Sequence, residues 1–133
     1  MHQFMVKNLM DETKKGFMQN IGDLSFKKID ENTFEFSITV LESFLNTGGI
    51  AHGGFIATIA DTGMGAAVFS TLEDGEFCAT LEIKIMYLKP AGHFDLICHT
   101  QVIKKGRRVA FLESEILSNK ELIAKASGSF AIF

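Results

Sequence analysis

The sequence predicts an α+β domain in which an antiparallel β-sheet wraps around one long central α-helix. Three observations carry that prediction. The stretch from about residue 52 to 71, containing GFIATIADTGMGAAVFST, is patterned as a helix yet apolar almost all round, with one charge. A helix apolar on every side has to be buried on most sides. Beyond it, four segments alternate apolar and polar residues and are joined by short turns, which implies consecutive hairpins and an antiparallel sheet. A single apolar helix beside such hairpins is covered by curling the sheet around it.

The elements follow in order. Residues 3–15 read as a short helix, with Phe4, Leu9 and Met10 spaced for one face and Gly16 placed to cap it. From Asp23 the period changes, and over 33–40 the residues Phe34, Phe36, Ile38 and Val40 alternate with Glu35, Ser37 and Thr39 as in a half-buried strand. The loop LNTGGIAHGG comes next, then the long helix. Gly63 and Gly65 each cost about 1 kcal/mol against alanine inside a helix. Close approach by a neighbouring element or a ligand is the expected reason for them. After the turn Glu73-Asp74-Gly75, residues 80–88 set Leu81, Ile83, Ile85 and Tyr87 against Glu82 and Lys84, and Pro90-Ala91-Gly92 ends that strand. Strands over 94–103, 108–117 and 121–133 complete the chain, with turns at Lys105-Gly106 and Ser118-Asn119.

Length and composition narrow the function. A chain of 133 residues, 47% hydrophobic and without an internal repeat or low-complexity tract, is expected to form one domain over 1–133. A net charge of −3 argues against nucleic acid as the main partner. Cys78 and Cys98 lack CxxC spacing and read as reduced thiols of a cytoplasmic protein. The N-terminus carries charges where a signal peptide would need its apolar stretch, and no run reaches the roughly eighteen apolar residues of a membrane span. No set of His, Cys, Asp and Glu has metal-ligand spacing, so neither a metal nor another cofactor is expected. His2 and His93 read as surface or terminus, and His99 as a strand residue.

Two features could carry chemistry. Asp61 is the one carboxylate in the apolar helix, where an unpaired charge is costly. It either faces solvent or pairs with Lys84, or it is a general base or nucleophile. His52-Gly53-Gly54 opens the same helix, whose first turn offers unpaired N–H groups at its electropositive end. Glycine there admits a ligand carbonyl close to the backbone, as in an oxyanion hole. Gly53 and Asp61 are eight residues apart, which is about 12 Å along a helix axis. One reacting carbon cannot touch both. If the two act together, Asp61 of one subunit meets Gly53 of another, and the chemistry requires a homodimer. Small residues around Asp61 (Ala57, Ala60, Gly63, Gly65) would let such elements come close.

The segment NTGGIAHGGFIATIAD resembles the core of hotdog-fold thioesterases, in particular the phenylacetate-degradation (PaaI-like) branch of the 4-hydroxybenzoyl-CoA thioesterase superfamily. TLEIKIMYLKPA and VIKKGRRVAFLESEI are similar to the second and fourth strands of that family, so the resemblance spans roughly residues 44–133. It implies a hotdog fold and hydrolysis of an acyl-CoA, aromatic or medium-chain, to free acid and CoA. It implies Asp61 as the catalytic carboxylate, and Gly53, with His52 beside it and Gly54 after it, as the backbone donor to the thioester carbonyl. Asn46 is implied to orient water or thioester from the facing subunit, and Thr80 to hold the water. Dimers with a continuous sheet, paired into a homotetramer, are also implied. The basic stretch Lys104-Lys105-Gly106-Arg107-Arg108 is either a solvated turn or, through Arg107 or Arg108, a contact for the CoA phosphates.

Two other readings stay open. A hotdog domain can bind acyl-CoA or acyl carrier protein without turnover, although the retained carboxylate argues against that. A hotdog dehydratase would pair a histidine with a carboxylate across the interface, which His52 and Asp61 suggest only loosely.

Overall fold

The computed structural model describes residues 15–22 and 24–133. The helix expected over 3–15 falls outside the described residues except for its last position. Gly16 (φ +60°) opens a 3-10 turn over Gly16–Asn20. Six strands follow: β1 (Leu24–Lys28), β2 (Thr33–Ile38), β3 (Cys78–Tyr87), β4 (Leu96–Lys105), β5 (Val109–Ser118) and β6 (Glu121–Ile132). One α-helix, α1 (Gly53–Phe69), lies between β2 and β3 in the chain.

The strand β1 corrects the sequence reading, which placed no strand before residue 33. Only five residues long, it buries Leu24 and Phe26 and exposes Ser25 and Lys27, too short a run to stand out as a period. Its turn into β2 is tightened by Asp30, whose carboxylate accepts the Asn32 N–H at 2.9 Å. The other strands and the helix match the expected ones, with no end moved by more than two residues. The β5–β6 hairpin turns through Asn119 (φ 48°) and Lys120 (φ 66°). Two consecutive left-handed residues make the mirror-image turn that suits the right-handed twist of paired strands.

All strand pairs are antiparallel, in the order β1-β2-β4-β5-β6-β3. The chain leaves β2 near one edge, runs through α1, and enters β3 at the opposite edge. The helix therefore crosses the sheet, and β4, β5 and β6 fill the space beneath it. Ile59, Ala60, Met64 and Ala67 of α1 share one core with Leu96, Cys98, Leu112, Ile116, Ile123 and Ala124, all nearly inaccessible. Thr100 and Ser114 are buried among them and satisfy each other at 2.8 Å.

Gly63 has the reason the sequence called for. A Cβ there would stand 3.2 Å from Cys98 Sγ and 3.4 Å from Thr100 Oγ1, so glycine sets how closely α1 lies on β4.

Two faces stay uncovered, and they position the site. On α1, the half-buried residues Gly53, Ala57, Asp61 and Gly65 recur every four residues and form one stripe. Ala60 and Gly63, expected beside Asp61 at a close approach, point into the sheet instead. The strand β3 is an edge strand, with Leu81 59% and Tyr87 51% exposed. An apolar, unpaired edge invites pairing with another strand. Among the described residues, no helix is long and apolar enough to cross a membrane.

Candidate active site

The stripe on α1 carries two sets of polar groups, one at each end. At the N-terminal end, His52 is the helix cap. Its backbone is extended (φ −61°, ψ 135°), and its Nδ1 accepts the Gly54 N–H at 2.8 Å. A nitrogen accepting there places the proton of the neutral ring on Nε2. The cap thus consumes the Gly54 amide. The Gly53 amide is left without a hydrogen bond among the described residues. Of the two glycines expected to meet substrate, Gly53 is the one with a backbone donor to offer.

Asn46 sits beside it. The turn Asn46–Ile50 is closed by Asn46 N–H to Ile50 O (2.7 Å) and Gly49 N–H to Asn46 O (3.0 Å). The Asn46 side-chain oxygen accepts from Gly48 N–H at 2.9 Å and Ile50 N–H at 3.3 Å. That geometry fixes the amide plane and leaves its NH2 without a partner among the described residues. Asn46 and Gly53 line one cavity of about 350 Å³ together with Ile56, Tyr87, Lys89 and Pro90. Two donors, one from main chain and one from a side chain, border the same space.

Midway along the helix, Asp61 is half-buried rather than enclosed. Thr80, at the start of β3, donates its hydroxyl to Asp61 Oδ1 at 2.7 Å. The register of β3 against β6 shifts between Thr80 and Glu82, a bulge of the kind that re-aims side chains. Lys84 does not pair with Asp61. It lies on the outer face of the sheet among His99, Gln101 and Glu113. Asp61, Thr62 and Thr80 line a second cavity of about 360 Å³, whose remaining wall includes Met18, Phe69, Cys78 and Phe130. Burial pushes the Cys78 thiol up from its ordinary range, so it stands in this cavity as a protonated thiol.

Asp61 with Thr80 and Gly53 with Asn46 are therefore brought together as two pairs, in separate cavities on one stripe. Arg107 and Arg108 line neither cavity. They are exposed in the turn between β4 and β5, where Ile132 N–H donates to Arg108 O at 2.8 Å. The neighbouring Lys105 has a structural task, donating to Thr71 O at 2.8 Å just past the end of α1. Sequence reasoning missed Tyr87, which reads as one more apolar position of a strand, and Met18, which precedes every recognisable motif. The alternation of β3 carries no signal that Tyr87 turns toward the helix start.

An antiparallel sheet wrapped around a helix that crosses it and carries a carboxylate midway is a hotdog fold. The profile of the Thioesterase superfamily matches residues 48–124. The Pseudomonas aeruginosa protein named "Putative esterase PA0474" is 36% identical over 95 residues, 71% of each chain. Among solved structures, a "putative thioesterase, phenylacetic acid degradation-related protein" of Ralstonia eutropha is similar at TM-score 0.86 and 25% identity, covering 96% of this chain and 98% of that one. BH2602 of Bacillus halodurans, solved with CoA, is similar at TM-score 0.72 and 29% identity, covering 74% of this chain and 66% of that one. The chain belongs to the thioesterase superfamily and is a thioester hydrolase.

Proposed function

We propose that the protein hydrolyses an aromatic or medium-chain acyl-CoA to the free acid and CoA, as a homodimer whose sites lie between subunits. The observation that carries this reading is the division of the stripe. Asp61 and Gly53 lie on one face of α1, about 12 Å apart, and each lines its own cavity. Two copies of α1 running antiparallel about a two-fold axis near Ala57 would set Asp61 of each against Gly53 of the other. Residue 57 is the midpoint of 53 and 61, and a two-fold contact pairs each residue with its reciprocal. The exposed apolar edge of β3 supports the same axis, because two β3 edges would then pair.

In such a site the thioester carbonyl oxygen accepts from the Gly53 N–H. Asn46 of the same subunit orients the water or the thioester. Asp61 of the facing subunit takes a proton from water as it attacks the carbonyl carbon, or attacks that carbon itself. Either route puts negative charge on the carbonyl oxygen, where a preformed donor is worth most. Collapse breaks the C–S bond, CoA leaves as thiolate and takes up a proton, and the carboxylic acid departs. On the direct route, water first cleaves the acyl-Asp61 anhydride. Thr80 holds the carboxylate in position and shares the water. The wall of Met18, Phe69 and Phe130 would take the acyl group. The PaaI-like assignment and the use of CoA rest on the sequence resemblance and on the likeness to the Ralstonia and Bacillus proteins. Pairing of two such dimers into a tetramer rests on the resemblance alone.

The test is a hydrolysis screen of aromatic and aliphatic acyl-CoAs, with acyl carrier protein thioesters alongside, following release of free thiol. Steady turnover of at least one acyl-CoA supports the proposal and excludes a binding-only module. Tight binding without hydrolysis across the panel would overturn it.

A further inference from the structure

The site as proposed leaves unexplained what holds Gly53 in place. A helix that starts Gly-Gly has two residues of maximal backbone freedom where it must present a fixed amide. Tyr87 answers this. Its phenol donates to Gly53 O at 2.6 Å. Its ring lies against the Gly53 Cα so closely that a Cβ there would be 3.3 Å from Cζ and 3.4 Å from the phenol oxygen. Tyr87 is carried by the last position of β3, where it pairs in register with Ala124 of β6, so the phenol is mounted on the sheet. From the other side, His52 N–H donates to Phe44 O at 2.9 Å and Gly54 N–H to His52 Nδ1 at 2.8 Å. Gly53 is thus clamped between the Asn46 loop and the end of β3; its own N–H has no partner among the described residues, and it lines the same cavity as Tyr87.

We infer that Tyr87 is a positioning residue for thioester hydrolysis: its hydrogen bond to the Gly53 carbonyl holds the Gly53 N–H in the orientation that receives the developing oxyanion. The same contact leaves little room for a side chain at position 53 unless the Tyr87 ring gives way. The inference rests on the intersubunit reading above, and it adds a direction to it. Tyr87 serves the Gly53 of its own chain, and therefore the Asp61 of the other.

That direction supplies the test. Tyr87→Phe removes the donor and keeps the ring, and kcat on an acyl-CoA is expected to fall about tenfold or more with KM within about twofold. Mixed dimers of Tyr87→Phe and Asp61→Asn chains contain one site that joins an intact Asp61 to an intact Tyr87–Gly53 pair. Random mixing of equal amounts should restore about one quarter of the wild-type sites. Mixed dimers of Tyr87→Phe with Asn46→Ala should restore none, because both changes fall in the same half of the site. A brace that merely stabilises the helix would lower the melting midpoint without this asymmetry. Should Tyr87→Phe fail to fold alone, co-expression with Asp61→Asn still yields the mixed dimers. Unchanged kcat in Tyr87→Phe, or no recovery with Asp61→Asn, would overturn the inference. Full activity of Asp61→Asn alone would instead overturn the role of Asp61, and Tyr87 would then be judged on the kcat of Tyr87→Phe.

Discussion

The hydroxyl of Thr80 on the edge strand donates to Asp61 Oδ1 at 2.7 Å, tying the single charge of the central helix to the rim of the sheet. The bond gives a carboxylate on an apolar helix a fixed partner in the wall of the cavity that both residues line. A hydrogen bond to a charged group is worth about 1.5–3 kcal/mol. Thr80→Val is therefore expected to lower kcat about 10- to 100-fold, while Thr80→Ser, which keeps the hydroxyl, stays within a few-fold of wild type. Steady-state kinetics on one acyl-CoA separates the two variants. Equal activity in Thr80→Val would remove Thr80 from the site.

Ala57 lies at the proposed two-fold axis, where two helices would meet through a small side chain. A long charged side chain there should separate the subunits. Ala57→Arg is expected to sediment as a monomer, or to keep only contacts outside this interface, and to lose activity at both sites together. A fully active Ala57→Arg dimer would contradict the placement of the axis.

Gly63 tests the packing beneath the site. A side chain at that position meets Cys98 Sγ and Thr100 Oγ1 before any solvent. Overpacking of a close-fitted core costs about 1–3 kcal/mol. Gly63→Val is expected to lose about that much in denaturant unfolding and to shift α1 away from β4. Wild-type stability in this variant would mean that the helix can rise without cost.

How much of this was legible in the sequence differs from element to element. The long helix and the four strands after it are long, strongly periodic segments, and they appear where the pattern puts them. The strand β1 was missed because five residues with two inward side chains are too few to establish a period. Asp61 stands out as the one charge of an apolar helix and Gly53 as half of a glycine pair at its start, whereas Asn46, in a polar, glycine-rich loop, is marked only by the resemblance to the family. The roles of His52 and Tyr87 depend on tertiary geometry. That His52 takes the Gly54 amide, and that Tyr87 takes the Gly53 carbonyl from a strand 34 positions along the chain, leaves no mark in a linear pattern. In the basic turn, Lys105 is engaged with the Thr71 carbonyl just past the end of α1, while Lys104, Arg107 and Arg108 are exposed.

Those two arginines yield a prediction of their own. They extend from the β4–β5 turn at the end of the sheet where Cys78 opens β3 and lines the Asp61 cavity. If they meet the CoA phosphates, Arg107→Ala with Arg108→Ala should raise KM for an acyl-CoA about tenfold with little change in kcat, and added salt should narrow the difference. The same acyl group on a short thiol without phosphates should show no change in KM. An unaffected KM for the acyl-CoA would return the stretch to a solvated turn.

The most direct measurement is the turnover of an acyl-CoA by Asp61→Asn. The substitution keeps the size of the side chain and a partner for Thr80, but removes the base. Removing a general base typically costs 10²–10⁴-fold. The expected result is a loss of kcat of about 100-fold or more in a dimer that melts close to wild type. A well-folded Asp61→Asn dimer that hydrolyses acyl-CoA at the wild-type rate would contradict the assignment of Asp61 as the catalytic carboxylate.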